Sequence, residues 1–389
     1  MDFGSYRYTK AEIDLDKVTY NYGKMKTHIT EGTKIMGVIK ADAYGHGAVE
    51  IGRHLETLDT DYLAVAVLDE AMELREAGVK LPILLLSPIE PDTIPTAIDN
   101  DIAITVFSLK SAQAVNYYAQ QTNHPVRVHV KIDSGMGRIG VRSKEEALEL
   151  CNILSASSIS LEGIFTHFAE AENTVDPAYT KSQFAFFMDV VTYLEENSFT
   201  FTFRHCSNTA ASLLYPEFDL DMIRTGISIF GYHPDKSLED IIDLKPAMTL
   251  STHAALIKQV PAGESIGYGR TYITDKEETI ATILLGYADG IPRELSNRWH
   301  LTHGDVKAPI VGRICMDQLM VNVTDIVDFS SSDKLVFIGD PQKGHPSIYK
   351  MAEMTDSFHY EILCGIGKRV PRVYLKDNQI EASQNVLLD

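Results

Sequence analysis

A lysine followed by turn residues stands at the end of an apolar run near the start of the chain. The run Lys34–Ile39 has the length and β-branched content of a buried strand, and Lys40, Asp42, Gly45 and Gly47 follow it. This pattern predicts a strand that breaks into a turn and opens a helix. An ammonium is costly to desolvate there, so the amine is easily made neutral and could attack a carbonyl as a Schiff-base nucleophile. The alternative is a lysine that only extends its charge into water.

Further polar residues stand at the ends of later apolar runs. They are Arg138, His167, Ser207 and Arg224. In a parallel barrel the carboxyl ends of the strands meet at one mouth, and active sites are found there. Together with Lys40, these side chains predict one polar and largely cationic site.

The elements that would position these residues alternate along the first half of the chain. Amphipathic, helix-like stretches separate most of the strand-like runs, which predicts a parallel (β/α)8 TIM barrel over residues 1–243. A doubly wound sheet is the alternative, but no GxGxxG follows the first strand. The predicted strands are Lys34–Ile39, Tyr62–Val67, Pro82–Leu86, Ile102–Phe107, Val126–Ile132, Leu161–Thr166, Phe201–Cys206 and Met222–Ile229, and the predicted helices include Asp69–Ala77, Leu109–Gln120, Lys144–Leu154 and Ser182–Glu196.

The pattern changes in the second half. Short β-rich runs separated by Gly, Pro, Asp and Ser predict a mostly-β C-terminal domain over residues 244–389. A single helical stretch is predicted there, at Ser347–Ser357. The predicted strands are Thr249–Val260, Glu278–Leu285, Pro309–Arg313, Gln318–Val323 and Leu335–Ile338.

Composition restricts the class of protein. The chain has 389 residues and a net charge of −19, which argues against nucleic acid and anionic membranes as partners. No apolar run reaches the roughly 20 residues of a membrane helix, and the N-terminus lacks a signal pattern, so a cytoplasmic protein is expected. The four cysteines form no CxxC pair, which argues against a metal site and fits reduced thiols.

Several segments resemble signatures of the alanine racemases, nearly from end to end of the chain. The segments are VIKADAYGHGA, KIDSGMGRIG, MIRTGISIFGY, SIGYGRTY, GYADGIPR, GRICMDQLMV and HYEIL. The resemblance implies that Lys40 carries pyridoxal 5′-phosphate (PLP). It also assigns residues to cofactor binding, namely Tyr44, His167, Ser207, Arg224, Gly226, Ile227 and Tyr360.

The resemblance further implies a two-base mechanism with Lys40 on one face of the substrate Cα and Tyr268 on the other. A free phenol has a pKa of about 10, so Tyr268 needs help to act as a base near neutrality. His167, supported by Arg224, would provide it through a hydrogen bond. Arg224 would also face the pyridine nitrogen and, as a group that cannot accept its proton, keep that nitrogen neutral.

The substrate would be held by Arg138, Met316 and Asp317, with Tyr287 at the entrance. Tyr360 would narrow the pocket, which suits a methyl side chain. Lys131 corresponds to a lysine that is carbamylated in some family members. In the family the C-terminal segments reach the barrel of a second copy, so a homodimer with shared active sites is expected.

The resulting hypothesis is a PLP-dependent alanine racemase that supplies D-alanine for peptidoglycan. A serine or broad-specificity racemase and a decarboxylase on a related scaffold are the competing enzyme hypotheses. A PLP carrier protein and a purely structural barrel are the competing non-enzyme hypotheses, and neither requires the segments around Tyr268 and Met316.

Overall fold

A computed structural model of the chain describes residues 5–122 and 124–388. The described residues divide into two compact units. The first consists of Asn21–Ala43 and Ala48–Leu244, and the second of the residues before Asn21, the short segment Tyr44–Gly47 and the residues after Leu244.

The elements of the first half alternate as the sequence predicts. The strands are β1 (Lys10–Asp14), β2 (Lys34–Val38), β3 (Tyr62–Val65), β4 (Ile83–Leu85), β5 (Ile102–Val106), β6 (Val126–Lys131), β7 (Ile159–Phe165), β8 (Phe203–His205) and β9 (Met222–Thr225). The helices are α1 (Leu15–His28), α2 (Lys40–Gly45), α3 (Ala48–Glu56), α4 (Leu68–Glu76), α5 (Ile94–Asp99), α6 (Leu109–Ala119), α7 (Lys144–Ile153), α8 (Ala178–Glu196) and α9 (Thr209–Leu214).

Strands β2 to β9 form one parallel sheet in the order β8-β7-β6-β5-β4-β3-β2-β9. Its two end strands approach each other, since the Arg224 amide donates to the Ser207 carbonyl oxygen at 3.0 Å. The sheet is therefore a nearly closed eight-stranded barrel, and the predicted fold class is confirmed. Strands such as β5 are buried along their whole length, as expected for a parallel sheet covered by helices.

The second unit is mostly antiparallel. Its largest sheet has the order β16-β15-β18-β10-β1-β19-β20, in which β1 and β19 pair in parallel and the other neighbours are antiparallel. A three-stranded sheet (β11-β14-β17) and the β12–β13 pair complete it. The elements are β10 (Met248–Thr252), β11 (Ala254–Val260), β12 (Ser265–Ile266), β13 (Tyr272–Ile273), β14 (Glu278–Ile283), β15 (His300–His303), β16 (Val306–Pro309), β17 (Leu319–Asn322), β18 (Leu335–Ile338), α10 (Ile348–Met354), α11 (His359–Gly365), β19 (Arg372–Lys376) and β20 (Gln379–Gln384).

Two local differences from the predicted elements have clear causes. The run Thr249–Val260 is divided at His253 into β10 and β11, which belong to different sheets. The chain before Asn21, assigned to the barrel from the sequence, groups with the second unit because β1 pairs with β10 and β19. Among the described residues, no helix is long and apolar enough to cross a membrane.

Helix α2, directly after β2, has an unusual backbone. Ala41, Asp42, Ala43 and Tyr44 have φ values of 53°, 54°, 52° and 54°, so four consecutive residues with side chains lie in the left-handed region. This conformation costs roughly 1–2 kcal/mol per residue, because Cβ crowds the following carbonyl oxygen. The turn must therefore be held in place by its surroundings.

Specific hydrogen bonds anchor this left-handed turn. The Ala41 amide donates to Glu70 Oε1 at 2.6 Å, and the Ala48 amide donates to Asp42 Oδ1 at 2.8 Å. The carboxylate of Glu70 also accepts from the Ala66 amide at 2.7 Å, so it is itself fixed. Lys40 thus begins a segment whose backbone conformation is held by these hydrogen bonds.

The backbone strain is tested by whether a glycine substitution raises or lowers the stability of the protein. We expect Ala41→Gly to raise the urea midpoint of unfolding, since glycine relieves roughly 1–2 kcal/mol in the left-handed region and loses only about 0.5–1 kcal/mol in chain entropy. Ala114→Gly, within helix α6, provides the matched control and should lower stability by about 1 kcal/mol. Destabilisation of similar size in both variants would contradict the assignment.

Candidate functional site at the barrel mouth

Lys40 lies where the sequence predicts, at the carboxyl end of β2. Its side chain is half-buried. Burial lowers the pKa of His167, and the charges of Arg224, Lys131, Arg138 and Lys40 lower it further. Lys131 and Arg224 lie on β6 and β9, whereas Lys40, Arg138 and His167 follow the ends of β2, β6 and β7. The structure therefore brings five of the predicted site residues together at one mouth.

Arg224, on β9, is buried and donates to neutral acceptors. One terminal nitrogen donates to the His205 carbonyl oxygen and to His205 Nδ1, both at 3.0 Å. The other contacts the carbonyl oxygens of Thr166 and Cys206 at 2.7 and 3.0 Å and His167 Nδ1 at 3.3 Å. Burial lowers the pKa of Arg224 to about 10, so it remains cationic at neutral pH.

The two histidines beside Arg224 are held neutral. Burial, followed by the charge of Arg224, lowers the pKa of His167 and of His205 well below the ordinary value. Each ring accepts from the guanidinium through Nδ1, so each carries its proton on Nε2. The His205 ring stacks on Phe165, with ring centroids 4.8 Å apart and planes 4° apart.

Lys131, at the end of β6, is buried against an aromatic ring. Among the described residues, its Nζ has no hydrogen-bond partner, and it lies 4.8 Å from the centroid of the Phe165 ring. Burial and the charges of Arg224 and Arg138 lower its pKa well below the ordinary value, and the charge of Asp133 opposes this only partly. A buried amine in this position among cations indicates that an anion belongs at this mouth.

The loops after β8 and β9 add backbone and hydroxyl donors. The Gly226 amide donates to Thr209 Oγ1 at 3.3 Å, and Ile227 opens a 3₁₀ turn that ends at Phe230. Ser207 is buried, and its hydroxyl donates to the Phe218 carbonyl oxygen at 2.9 Å. The hydroxyl of Ser207 and the amide of Gly226 would each have to leave its present acceptor to donate to a ligand.

The remaining predicted residues lie in the second unit. Tyr44 and Tyr360 form an edge-to-face pair with ring centroids 5.7 Å apart. The 3₁₀ turn Tyr268–Arg270 carries Tyr268 between Gly267 and Gly269, whose φ values of 71° and 72° require glycine. The Tyr268 side chain is 70% exposed.

Met316, Asp317 and Tyr287 lie on two connected loops of this unit. The Tyr287 amide donates to the Cys315 carbonyl oxygen at 3.0 Å, and Asp317 accepts from Arg369 at 2.7 Å. Tyr287 and Met316 are 41% and 53% exposed. Tyr268, Tyr287 and Met316 therefore present large apolar side chains to solvent within a single copy.

Sequence reasoning missed the interior residues below the mouth, His129, Glu162 and His205. A signal exists in β6, where Arg127, His129 and Lys131 alternate with valines at the period of a strand. That alternation places three polar side chains on one face. It does not show that this face is the barrel interior.

Comparison with known proteins identifies the family of this fold and site. The family description "Alanine racemase, N-terminal domain" matches residues 13–234, and "Alanine racemase, C-terminal domain" matches residues 247–374. Alanine racemase 2 of Oceanobacillus iheyensis is 46% identical over 376 residues, 97% of this chain and 95% of the relative. The alanine racemase of Halothermothrix orenii is 42% identical over 368 residues, 95% of this chain and 97% of the relative.

Solved structures agree. The alanine racemase of Clostridium difficile 630 has a TM-score of 0.93 at 40% identity and covers 98% of this chain and 99% of its own. The alanine racemase of Bacillus anthracis, solved with L-Ala-P bound, has a TM-score of 0.92 at 35% identity, with 98% of this chain and 99% of its own covered. The resemblance inferred from the motifs is confirmed.

Proposed function

Because this chain belongs to the alanine racemase family, we propose that it interconverts L- and D-alanine with PLP at the mouth of the barrel. The observation that carries the proposal is the cluster of Lys40, Lys131, Arg138 and Arg224 around a neutral His167. Such a mouth suits an anionic cofactor bound beside a reactive amine.

The residues present fit PLP. Its phosphate and phenolic oxygen carry negative charge, which the orphaned amine of Lys131 and its cationic neighbours accommodate. Lys40 would anchor the carbonyl carbon, and the Gly226 and Ile227 amides with the Ser207 hydroxyl would hold the phosphate. When bound, PLP supplies an electron sink that acidifies the Cα–H bond of an amino acid. The resemblance assigns two further cofactor contacts, to Tyr44 and Tyr360.

Arg224 is proposed to face the pyridine nitrogen. Its donors are held by carbonyl oxygens and imidazole nitrogens, so its orientation is fixed before any ligand arrives. A guanidinium cannot take up the ring proton, whereas a carboxylate at this position would keep the ring protonated. An arginine at this position therefore favours return of the proton to Cα over other reactions of the substrate.

Proton transfer is proposed to use Lys40 on one face of Cα and Tyr268, from a second copy, on the other. His167 supports the second step, since its Nδ1 accepts from Arg224 and its Nε2–H is left to donate. A donor at Nε2 would stabilise the phenolate of the tyrosine through a hydrogen bond. Arg138, Met316, Asp317 and Tyr287 are proposed to orient the substrate and its carboxylate.

Lys131 is proposed to carry a carbamate. A neutral amine adds CO2 to form a nitrogen–carbon bond with release of one proton, and its low pKa keeps Lys131 in the reactive form. The resulting anion would lie near Arg138 and Arg224 and would compensate their positive charges, which a neutral amine cannot do. This account explains why Lys131 has no hydrogen-bond partner among the described residues.

A homodimer with shared active sites is proposed as well, because the chain belongs to the alanine racemase family. The exposure of Tyr268, Tyr287 and Met316 supports it, since large apolar side chains in solvent mark interaction surfaces. The proposed role is the supply of D-alanine for peptidoglycan, in a cytoplasm that keeps the four cysteines as thiols.

The lysine anchor can be tested directly. We expect purified protein with PLP to form D-alanine from L-alanine faster than D-serine from L-serine, measured by chiral chromatography. Lys40→Ala should lose activity by more than about 10³-fold and should lack the absorbance band of lysine-bound cofactor. Lys181→Ala, at an exposed position of α8, is the control. A retained band would exclude Lys40 as the anchor, and a preference for serine would change the substrate.

The second base predicts an asymmetric defect. Tyr268→Phe should slow exchange of the L-alanine Cα hydrogen with deuterium oxide by roughly 10²–10⁴-fold and that of D-alanine far less, because only one face loses its base. Tyr272→Phe is the matched control, since its hydroxyl donates to Glu278 and has no assigned role in catalysis. Equal losses for the two enantiomers would contradict the scheme.

The carbamate is tested by ¹³C NMR after equilibration with ¹³C-bicarbonate. We expect a carbamate signal in the wild-type protein and its loss in Lys131→Met, because methionine has no amine to react. Absence of the signal from the wild-type protein under bicarbonate would refute the modification.

A further inference from the structure

A chain of hydrogen bonds runs from Arg224 into the interior of the barrel. His205 Nε2 lies 2.9 Å from His129 Nδ1, and His129 Nε2 lies 3.2 Å from Glu162 Oε2. Glu162 also accepts from the Tyr62 hydroxyl at 2.8 Å, and Arg127 lies 3.8 Å from its other oxygen. Two imidazoles therefore connect a buried guanidinium to a carboxylate.

Hydrogen-bond chemistry fixes every proton along this chain. A guanidinium can only donate, so His205 Nδ1 must be an acceptor and the single proton of neutral His205 must lie on Nε2. His205 then donates to His129 Nδ1, which leaves the proton of His129 on Nε2, pointing at Glu162. All donors point from Arg224 toward Glu162.

The barrel has two local features that make room for this chain. The register of β6 and β7 shifts so that Val128 pairs with Leu161 and His129 with Gly163, which leaves Glu162 as the extra residue of a bulge. At Gly163 a Cβ atom would lie 2.2 Å from His129 Nδ1. The bulge thus makes room for the carboxylate of Glu162, and the absence of a side chain at Gly163 makes room for the imidazole of His129.

We propose that Glu162 and His129 are positioning residues for Arg224, in which the carboxylate fixes, through His129, the tautomer of His205 that accepts the guanidinium hydrogen bond. Arg224 at one end and Glu162 at the other favour the same tautomers, and the loss of the acceptor at Glu162 removes one of these two constraints. In part of the molecules His129 can then reverse its proton and present Nδ1–H to His205. His205 would then carry its proton on Nδ1, facing the N–H of Arg224. That clash of donors would displace the guanidinium from its place at the cofactor ring.

The burial of the two rings agrees with this arrangement. Burial lowers the pKa of His129, although its hydrogen bond to Glu162 opposes the shift. Burial would raise the pKa of Glu162, but the hydrogen bonds from His129 and Tyr62 and the charge of Arg127 outweigh it and lower the pKa. The chain of hydrogen bonds that starts at Arg224 therefore ends in an ionised carboxylate, that of Glu162, at neutral pH.

The test measures histidine tautomers in the full-length protein, with and without PLP, by long-range ¹H–¹⁵N NMR. In the wild-type protein we expect His129, His167 and His205 each to be the pure Nε2–H tautomer. In Glu162→Gln, whose amide can either donate or accept, His129 and His205 should become mixtures of tautomers. Wild-type His205 with its proton on Nδ1 would overturn the proposal, and this readout needs no variant to fold.

Two control variants separate charge from packing. Tyr62→Phe removes one donor to Glu162 but keeps the carboxylate, so the tautomers should remain pure. Asp221→Asn removes a different carboxylate, one that pairs with Arg204 at 2.7 Å, and should also leave the tautomers pure. Unchanged tautomers in Glu162→Gln, or mixtures in all three variants, would refute the role of Glu162.

Steady-state kinetics test whether this chain of hydrogen bonds affects catalysis. This part of the test rests on the proposed function. Glu162→Gln should lower kcat for alanine roughly tenfold in both directions, a size typical of changes remote from the ligand, and leave KM nearly unchanged. Tautomers that behave as expected in a protein that does not racemise alanine would refute the function and leave the positioning role. Full racemisation by Glu162→Gln with mixed tautomers would refute the positioning role alone.

Discussion

A buried guanidinium needs hydrogen-bond acceptors for its donors, and the interior of this barrel supplies them to Arg224 from neutral groups. Arg224 donates to carbonyl oxygens and to two imidazole nitrogens, all of which are neutral. A carboxylate in direct contact would neutralise the field that an anionic ligand needs. Placing Glu162 two imidazoles away compensates the charge at a distance and keeps the donors of Arg224 oriented.

The second constraint acts on the backbone after Lys40. Four left-handed residues in succession are unfavourable alone, and the hydrogen bonds of Ala41 and Ala48 help to hold them. A segment held in this way has few alternative conformations. The strained segment directly after Lys40, the proposed anchor of the cofactor, restricts the direction of its side chain, and strand β2 fixes its position.

Local pattern was sufficient for the barrel and for the residues at its mouth. The eight strands follow from alternation, with bounds displaced by one to four residues where strands end earlier than their apolar runs. Lys40, His167 and Arg224 follow from their places at strand ends. The pairing of β1 with β10 and β19 could not be read locally, because it depends on residues more than 200 positions apart. The left-handed turn could not be predicted either, since KADAYG has ordinary helical composition. The proposed role of His129 could not be predicted because it depends on a bulge in β7.

The charge of the whole chain has little influence on such a site. A net charge of −19 repels anions at long range, but salt screens that repulsion beyond about 8–10 Å. At the mouth, the buried guanidinium of Arg224 acts over a short distance in a poorly polarisable environment, where an interaction is several times stronger than in water. Keeping His167 and His205 neutral adds hydrogen-bonding groups without adding to the repulsion between Arg138 and Arg224. Selection of an anion by this protein therefore depends on a few oriented groups and hardly at all on its acidic surface.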